Sequence, residues 1–149
     1  METLNFKTQI CTTIEQSNRL LELGLNPETS DMHYVRKTID AMGKPIDDDF
    51  KEPRFGNVNS KYAKYAVMNF SNYETLPAWS LHRLIEMLPY KVNKSPNNAS
   101  LLQITRIKDN SYHVGYVGYK VVEMPLFDAV IRLIEELIKD NIFNKDYLK

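Results

Sequence analysis

The chain has little cysteine, little glycine and no net charge. Cys11 is the single cysteine among 149 residues, which excludes an intramolecular disulfide and predicts a protein of a reducing compartment, the cytoplasm. Only five glycines are present, and none belongs to a phosphate-binding loop motif. The 19 basic and 19 acidic side chains cancel, which removes the basic excess that non-specific nucleic-acid binding requires.

Long apolar runs are also lacking. No window approaches the roughly 18 consecutive apolar residues of a membrane span, and the amino terminus lacks the basic and then apolar segments of a signal peptide. We therefore expect no membrane partner. At roughly 100 to 200 residues per domain, and with 43% hydrophobic residues, the sequence predicts a single domain over residues 1–149.

Three segments have the spacing of amphipathic helices. The first is predicted over residues 12–24, where Thr12 and Glu15 have the spacing of a capping box and a glycine ends the helix. The second is predicted over residues 77–89, with a proline in its first turn and another at its end. The third is predicted from residue 125 to about residue 141, with one continuous apolar face.

Residues 101–122 have the clearest β pattern and predict an antiparallel hairpin. The two runs, 101–108 and 111–122, are separated by Asp109 and Asn110, which tolerate the positive φ of a tight turn. Two glycines in the second run, Gly115 and Gly118, weaken this strand or allow a bulge or a close approach. The side chains of the second run that share one face are Tyr112, Val114 and Tyr116.

The remaining segments have weaker patterns. Residues 26–60 are predicted to be mostly loop, with a short helix over 31–42. Residues 62–70 fit a strand or a helix, and their content of tyrosine, valine and phenylalanine favours the strand. Residues 91–100 are predicted to form a linker. The order of elements predicts an α+β fold, in which about three helices pack on one face of a small antiparallel sheet.

Two segments resemble the same family. Residues 12–32 contain EQSNRLLELGL followed by ETSDM, and residues 76–89 read LPAWSLHRLIEMLP. With the amphipathic carboxy-terminal helix, these segments resemble a family of small uncharacterised proteins encoded by phages, prophages and conjugative elements of gut anaerobes. The resemblance implies a phage-related accessory protein of a mobile element and no particular activity. Residues 33–75 do not follow the pattern, and we expect this loop-rich segment to vary between members.

No motif assembles a catalytic set, a metal site or a cofactor site. Cys11 and the histidines show no paired ligand spacing, so the sequence predicts neither a metal nor a cofactor and favours a non-enzymatic protein. The three aspartates at 47–49 are typical of a solvated loop, with binding of a divalent cation as the alternative. A small metal-dependent enzyme remains the alternative if the fold brings together at least three of Glu28, Asp31, His33, Asp47, Asp48, Asp49 and His113.

Aromatic and basic side chains are the predicted interaction surface. They are Trp79, Tyr112, Tyr116, Tyr62, Tyr65, Lys61 and Lys64. Because tryptophan and tyrosine are enriched in interface hot spots, the main hypothesis is a protein-interaction module that binds a protein partner or itself as a homo-oligomer. Tyrosines alternating with lysines also suit base stacking and phosphate contacts, so binding of single-stranded nucleic acid is the alternative.

Overall fold

The structure, a computed structural model, describes residues 8–57, 72–95 and 98–149. These residues form three α-helices and two antiparallel sheets, so the α+β prediction is confirmed. The helices are α1 (Ile14–Glu22), α2 (Leu81–Met87) and α3 (Leu126–Lys139). The strands are β1 (Met32–Lys37), β2 (Arg54–Phe55), β3 (Tyr73–Ala78), β4 (Lys91–Ser95), β5 (Asn98–Lys108), β6 (Ser111–Tyr116) and β7 (Lys120–Met124).

The larger sheet has the strand order β4-β5-β6-β7. The predicted hairpin is confirmed as β5 and β6, and Asn110 adopts a positive φ of 56° in its turn. The predicted second run is two strands, because the chain turns again between β6 and β7. Gly118 has a φ of 77° in that turn, and the Tyr119 amide donates to the Tyr116 carbonyl at 2.9 Å.

Helix α3 covers one face of this sheet, as its apolar stripe predicts. The helix contacts β6 and β7, and its amphipathic pattern buries a long row of side chains because one face meets the sheet. The other two helices pack beside it, since α1 and α2 both contact α3. The largest fully buried side chains of this core include Leu20, Trp79, Leu84, Val114, Tyr116, Val130, Leu133, Ile134 and Leu137.

The smaller sheet has the order β2-β1-β3 and overturns the helix predicted over 31–42. Residues 32–37 are strand β1, which pairs along its whole length with β3. Asp31, the expected cap of that helix, instead accepts a hydrogen bond from the Ser80 amide at 2.8 Å. Pairing with a distant strand therefore outweighs a weak local helical pattern.

Helix α2 begins later than its proline predicts. Its N-cap is Ser80, whose hydroxyl accepts a hydrogen bond from the Arg83 amide at 3.1 Å. Pro77 lies in β3, in register with His33. Because β3 is an edge strand of its sheet, a residue without an amide is tolerated there.

Helix α1 is capped one residue after the predicted position. The hydroxyl of Thr13 accepts from the backbone amide of Gln16 at 3.2 Å, and the side-chain Oε1 of Gln16 accepts from the backbone amide of Thr13 at 3.0 Å. Thr12 is instead buried, and its hydroxyl accepts from the Trp79 amide at 3.1 Å. The predicted end is confirmed, because Gly24 adopts a φ of 91°.

The linker predicted over 91–100 is also wrong. These residues contribute β4 and the start of β5, and Val92 is buried in the core. The predicted run 62–70 lies outside the described residues. Within the described ranges, no helix has the length and apolar character needed to cross a membrane.

Candidate interaction surface

Trp79 belongs to the core, which corrects its prediction as a surface residue. Its side chain is 0% exposed, and its indole nitrogen donates to the hydroxyl of Thr29 at 3.0 Å. The backbone on either side is also fixed, because the Thr12 amide donates to the Trp79 carbonyl at 2.9 Å. A partner would have to unfold this region to reach the indole.

The predicted strand tyrosines lie on the sheet face that α3 covers. Tyr116 is fully buried, and its hydroxyl donates to the Pro89 carbonyl at 2.5 Å. Burial raises the pKa of Tyr116 well above the usual range for tyrosine. Tyr112 is half-buried against the core. Tyr116 is therefore removed from the predicted surface. The other four predicted residues, Lys61, Tyr62, Lys64 and Tyr65, lie outside the described residues.

The face of the larger sheet that points away from α3 is not covered by another element among the described residues. Strand alternation and register place Gln103 opposite Gly115, and Gly115 opposite Val121. The next row places His113 between Thr105 and Glu123. We name this surface the outer face, and its members are Leu101, Gln103, Thr105, His113, Gly115, Val117, Val121 and Glu123.

Three aliphatic side chains dominate the outer face. Leu101 is 59% exposed, Val117 is 60% exposed and Val121 is 50% exposed. The valines border a depression of about 140 Å³, whose other walls are Gln103, Thr105, His113 and Gly115. The face is therefore apolar and concave at its centre.

Gly115 creates the floor of this depression. A Cβ atom on Gly115 would lie 2.1 Å from the carbonyl oxygen of Lys120 and 2.7 Å from the Cα of Val121. Its φ of 153° is also a value that residues with a side chain rarely adopt. Of the alternatives that the sequence leaves for this glycine, the structure shows the close approach of another backbone, that of β7, and Gly115 itself is buried.

The outer face is close to neutral. The Nε2 atom of His113 lies 3.1 Å from a carboxylate oxygen of Glu123, and this hydrogen bond lowers the pKa of Glu123. At the margin, Lys91 of β4 is in register with Leu101. The eight members of the face include no aromatic ring, and Lys91 at the margin is a single cation, whereas single-stranded nucleic acid is bound by stacking on aromatic rings and by a series of phosphate contacts.

A second concave region, a cleft of about 430 Å³ between α1 and α3, is organised around Glu135. The oxygens of this buried carboxylate form ion pairs with three cations. The distances are 2.8 Å to a guanidinium nitrogen of Arg19, 3.1 Å to one of Arg132 and 3.0 Å to the ammonium nitrogen of Lys139. Burial opposes the charge of Glu135, but the hydrogen bond from Lys139 and the charges of the two arginines outweigh burial and lower its pKa. The cations that line the cleft thus already have partners within the protein.

Two of the oppositely charged pairs that are spaced i,i+4 along α3 differ in their contacts. Glu135 and Lys139 form an ion pair at 3.0 Å. Asp128 does not pair with Arg132 but accepts from the side-chain amide of Gln16 at 2.7 Å. The contact of Asp128 with Gln16 and that of Glu135 with Arg19 join α3 to α1, so these cleft residues have structural roles.

The side chains considered for metal binding lie apart. Cys11 is buried 3.6 Å from the hydroxyl of Tyr34, and burial raises the pKa of its thiol. His33 contacts the Gly56 carbonyl at 2.7 Å, and His82 pairs with a glutamate of its own helix. Within residues 8–57, 72–95 and 98–149, no three His, Cys, Asp or Glu side chains are grouped as metal ligands would be.

The aspartates at 47–49 are partly engaged by cations of the protein. Asp48 accepts from the ammonium of Lys51 at 3.0 Å, and this hydrogen bond lowers the pKa of Asp48. Asp47 lies 3.9 Å from the guanidinium of Arg36. These contacts fit the solvated loop that the sequence predicts.

The sequence analysis missed the outer face, although a signal was available. Leu101, Val117 and Val121 are apolar residues that alternate with the buried residues of the same hairpins. A strand with one solvated face normally carries polar side chains at such positions.

Comparisons of the chain with protein-family models, with curated proteins and with solved structures found no match.

Proposed function

We propose that this chain is a non-catalytic protein-binding module that binds its partner through the outer face. The observation that carries the proposal is the exposure of Leu101, Val117 and Val121 on one side of a sheet whose other side packs against α3 along β6 and β7. Burial of apolar surface gains about 25 cal/mol per Å², so a partner that covers these side chains gains free energy that the monomer does not.

The chemistry of the face favours a protein over single-stranded nucleic acid. Base stacking needs exposed rings, but Tyr116 is buried and its hydroxyl is already bonded to the backbone. The basic groups on this side of the sheet are His113, which is hydrogen-bonded to Glu123, and Lys91 at the margin. A polyanion therefore finds no stacking surface there and one marginal lysine instead of a row of cations.

The contacts of the nucleophilic and basic side chains support a non-catalytic role. Cys11 is buried beside Tyr34, and His33 is buried and bonded to a backbone carbonyl. The resemblance to small proteins of phages, prophages and conjugative elements supports an accessory role in a mobile element. The single cysteine supports action in the cytoplasm.

Site-specific photocrosslinking tests this proposal. A photoreactive benzoylphenylalanine replaces Val117 on the outer face, and in a control it replaces Met42, which is 84% exposed and lies in the loop after β1. Irradiation of cells that carry the gene is expected to give a discrete adduct from position 117 only. Addition of Val121→Lys is expected to abolish that adduct. Equal labelling from both positions, or no adduct from position 117, would overturn the proposal.

A further inference from the structure

We infer that the partner of the outer face is a second copy of this chain, an inference that rests on the proposed function of that face. A two-fold contact uses the same patch on both subunits, so the patch must be complementary to itself. The outer face has both parts that such a contact needs: a depression over Gly115, and the projecting side chains of Val117 and Val121 at its border.

The shape suits packing of one sheet on another. Two sheets pack face to face about 10 Å apart, with side chains interdigitated between them. The depression of about 140 Å³ can receive an aliphatic side chain from the opposing copy. The symmetric contact fills both depressions at once.

The charges also suit a second copy. The formally charged side chains on this side are Glu123 of β7, which is hydrogen-bonded to His113 at 3.1 Å, and Lys91 at the opposite edge on β4, so two outer faces meet without an excess of like charge. A strongly acidic or strongly basic partner would find no matching charge there. Lys91 lies at the margin, in register with Leu101, where solvent can still reach its ammonium group.

The size of the face places the contact among small, reversible interfaces. With the margin on β4 included, the four strands lie about 4.8 Å apart, have lengths of five to 11 residues and cover roughly 500 Å². Standard interfaces bury about 800 Å² on each partner. We therefore expect a reversible dimer with a dissociation constant in the micromolar range.

Light scattering after size-exclusion chromatography tests the dimer directly. Between about 1 and about 200 µM, a range that brackets a micromolar constant, the mass is expected to rise from 17.4 kDa towards twice that value. Val121→Lys places a charge in the contact and is expected to weaken the dimer at least tenfold. Met42→Lys is the matched control, an exposed apolar residue outside the face, and is expected to dimerise like the wild type.

Two further variants guard against a change in folding. Leu101→Lys disrupts the contact at β5, a different strand from the one that carries Val121. Val121→Ile keeps an aliphatic side chain at position 121 and is expected to retain the dimer. Circular dichroism must show a native spectrum for each variant. A wild-type mass that stays at 17.4 kDa over the whole range, or unchanged dimerisation of both lysine variants on the outer face, would overturn the inference.

Failure of this inference can be told from failure of the proposed function. An adduct from position 117 with twice the chain mass supports the second copy. A discrete adduct of another mass overturns the second copy and keeps the protein-binding function. Absence of an adduct from position 117, with a monomer in light scattering, overturns both.

Discussion

Replacement of Gly115 by alanine tests the close approach of β6 and β7. The new Cβ would lie 2.1 Å from the Lys120 carbonyl oxygen and 2.7 Å from the Val121 Cα. Both atoms belong to the backbone of the paired strand, so rotation of a side chain cannot relieve the overlap. The two strands must separate locally, and the hydrogen bonds between them must lengthen or break.

The expected loss of stability is large. A residue with a side chain at such a φ costs about 1 to 3 kcal/mol, and loss of about two strand hydrogen bonds adds about 1 kcal/mol each. Gly115→Ala is therefore expected to lower the free energy of unfolding by about 3 to 5 kcal/mol. Gly118→Ala is the matched control, since its φ is 77° and its Cβ would meet no atom within 4 Å. Backbone strain alone predicts a loss of about 1 to 2 kcal/mol there.

Urea denaturation followed by the fluorescence of Trp79 measures both losses. The chain has one tryptophan, and this indole is fully buried in the native protein, so its emission reports global unfolding. A Gly115→Ala chain that never folds would correspond to a loss larger than the whole stability. A loss for Gly115→Ala within about 1 kcal/mol of that for Gly118→Ala would refute the steric reasoning, because backbone strain would then suffice.

Three further results are expected. Thr13→Ala removes the capping box of α1 and should lower the free energy of unfolding by about 1 kcal/mol in urea, whereas an unchanged midpoint would contradict that role. Because the folded-state pKa of Glu135 lies below its ordinary 4.5, the stability advantage of wild type over Glu135→Gln should be complete above that ordinary value. It should be lost as pH falls through the lower folded pKa, and a pH-independent advantage would contradict this. The Cys11 thiol, buried and with a raised pKa, should react with a thiol reagent far more slowly than in urea; equal rates would show that it is accessible.

Local patterns predicted the elements whose stability is mainly local. The apolar face of α3 repeats over four turns, and the hairpin of β5 and β6 has a turn residue, Asn110, that adopts the required positive φ. The capping box was displaced by one residue because two threonines adjoin, and both Thr12 and Thr13 can accept a backbone amide. Burial of Thr12 beside Trp79 decides between them, and burial is a tertiary property.

The smaller sheet could not be predicted because its pairing is not local. Strand β1 pairs with β3, roughly 40 residues later in the chain, and neither segment alternates clearly between apolar and polar residues. Pro77 has a well-founded preference for the first turn of a helix. In an edge strand the same residue costs no hydrogen bond, so the proline alone does not distinguish the two structures.

The candidate surface depends on which side of the larger sheet α3 covers. Strand alternation separates Tyr112 and Tyr116 from His113 and Gly115, and this separation can be predicted from the sequence. The sequence does not say which set faces the helix. Large rings bury the most apolar area, so the tyrosine side packs against the helix, and Tyr116 is unavailable for binding. The side with a glycine at its centre and valines at its border remains exposed, and there the contact of a partner has to be sought.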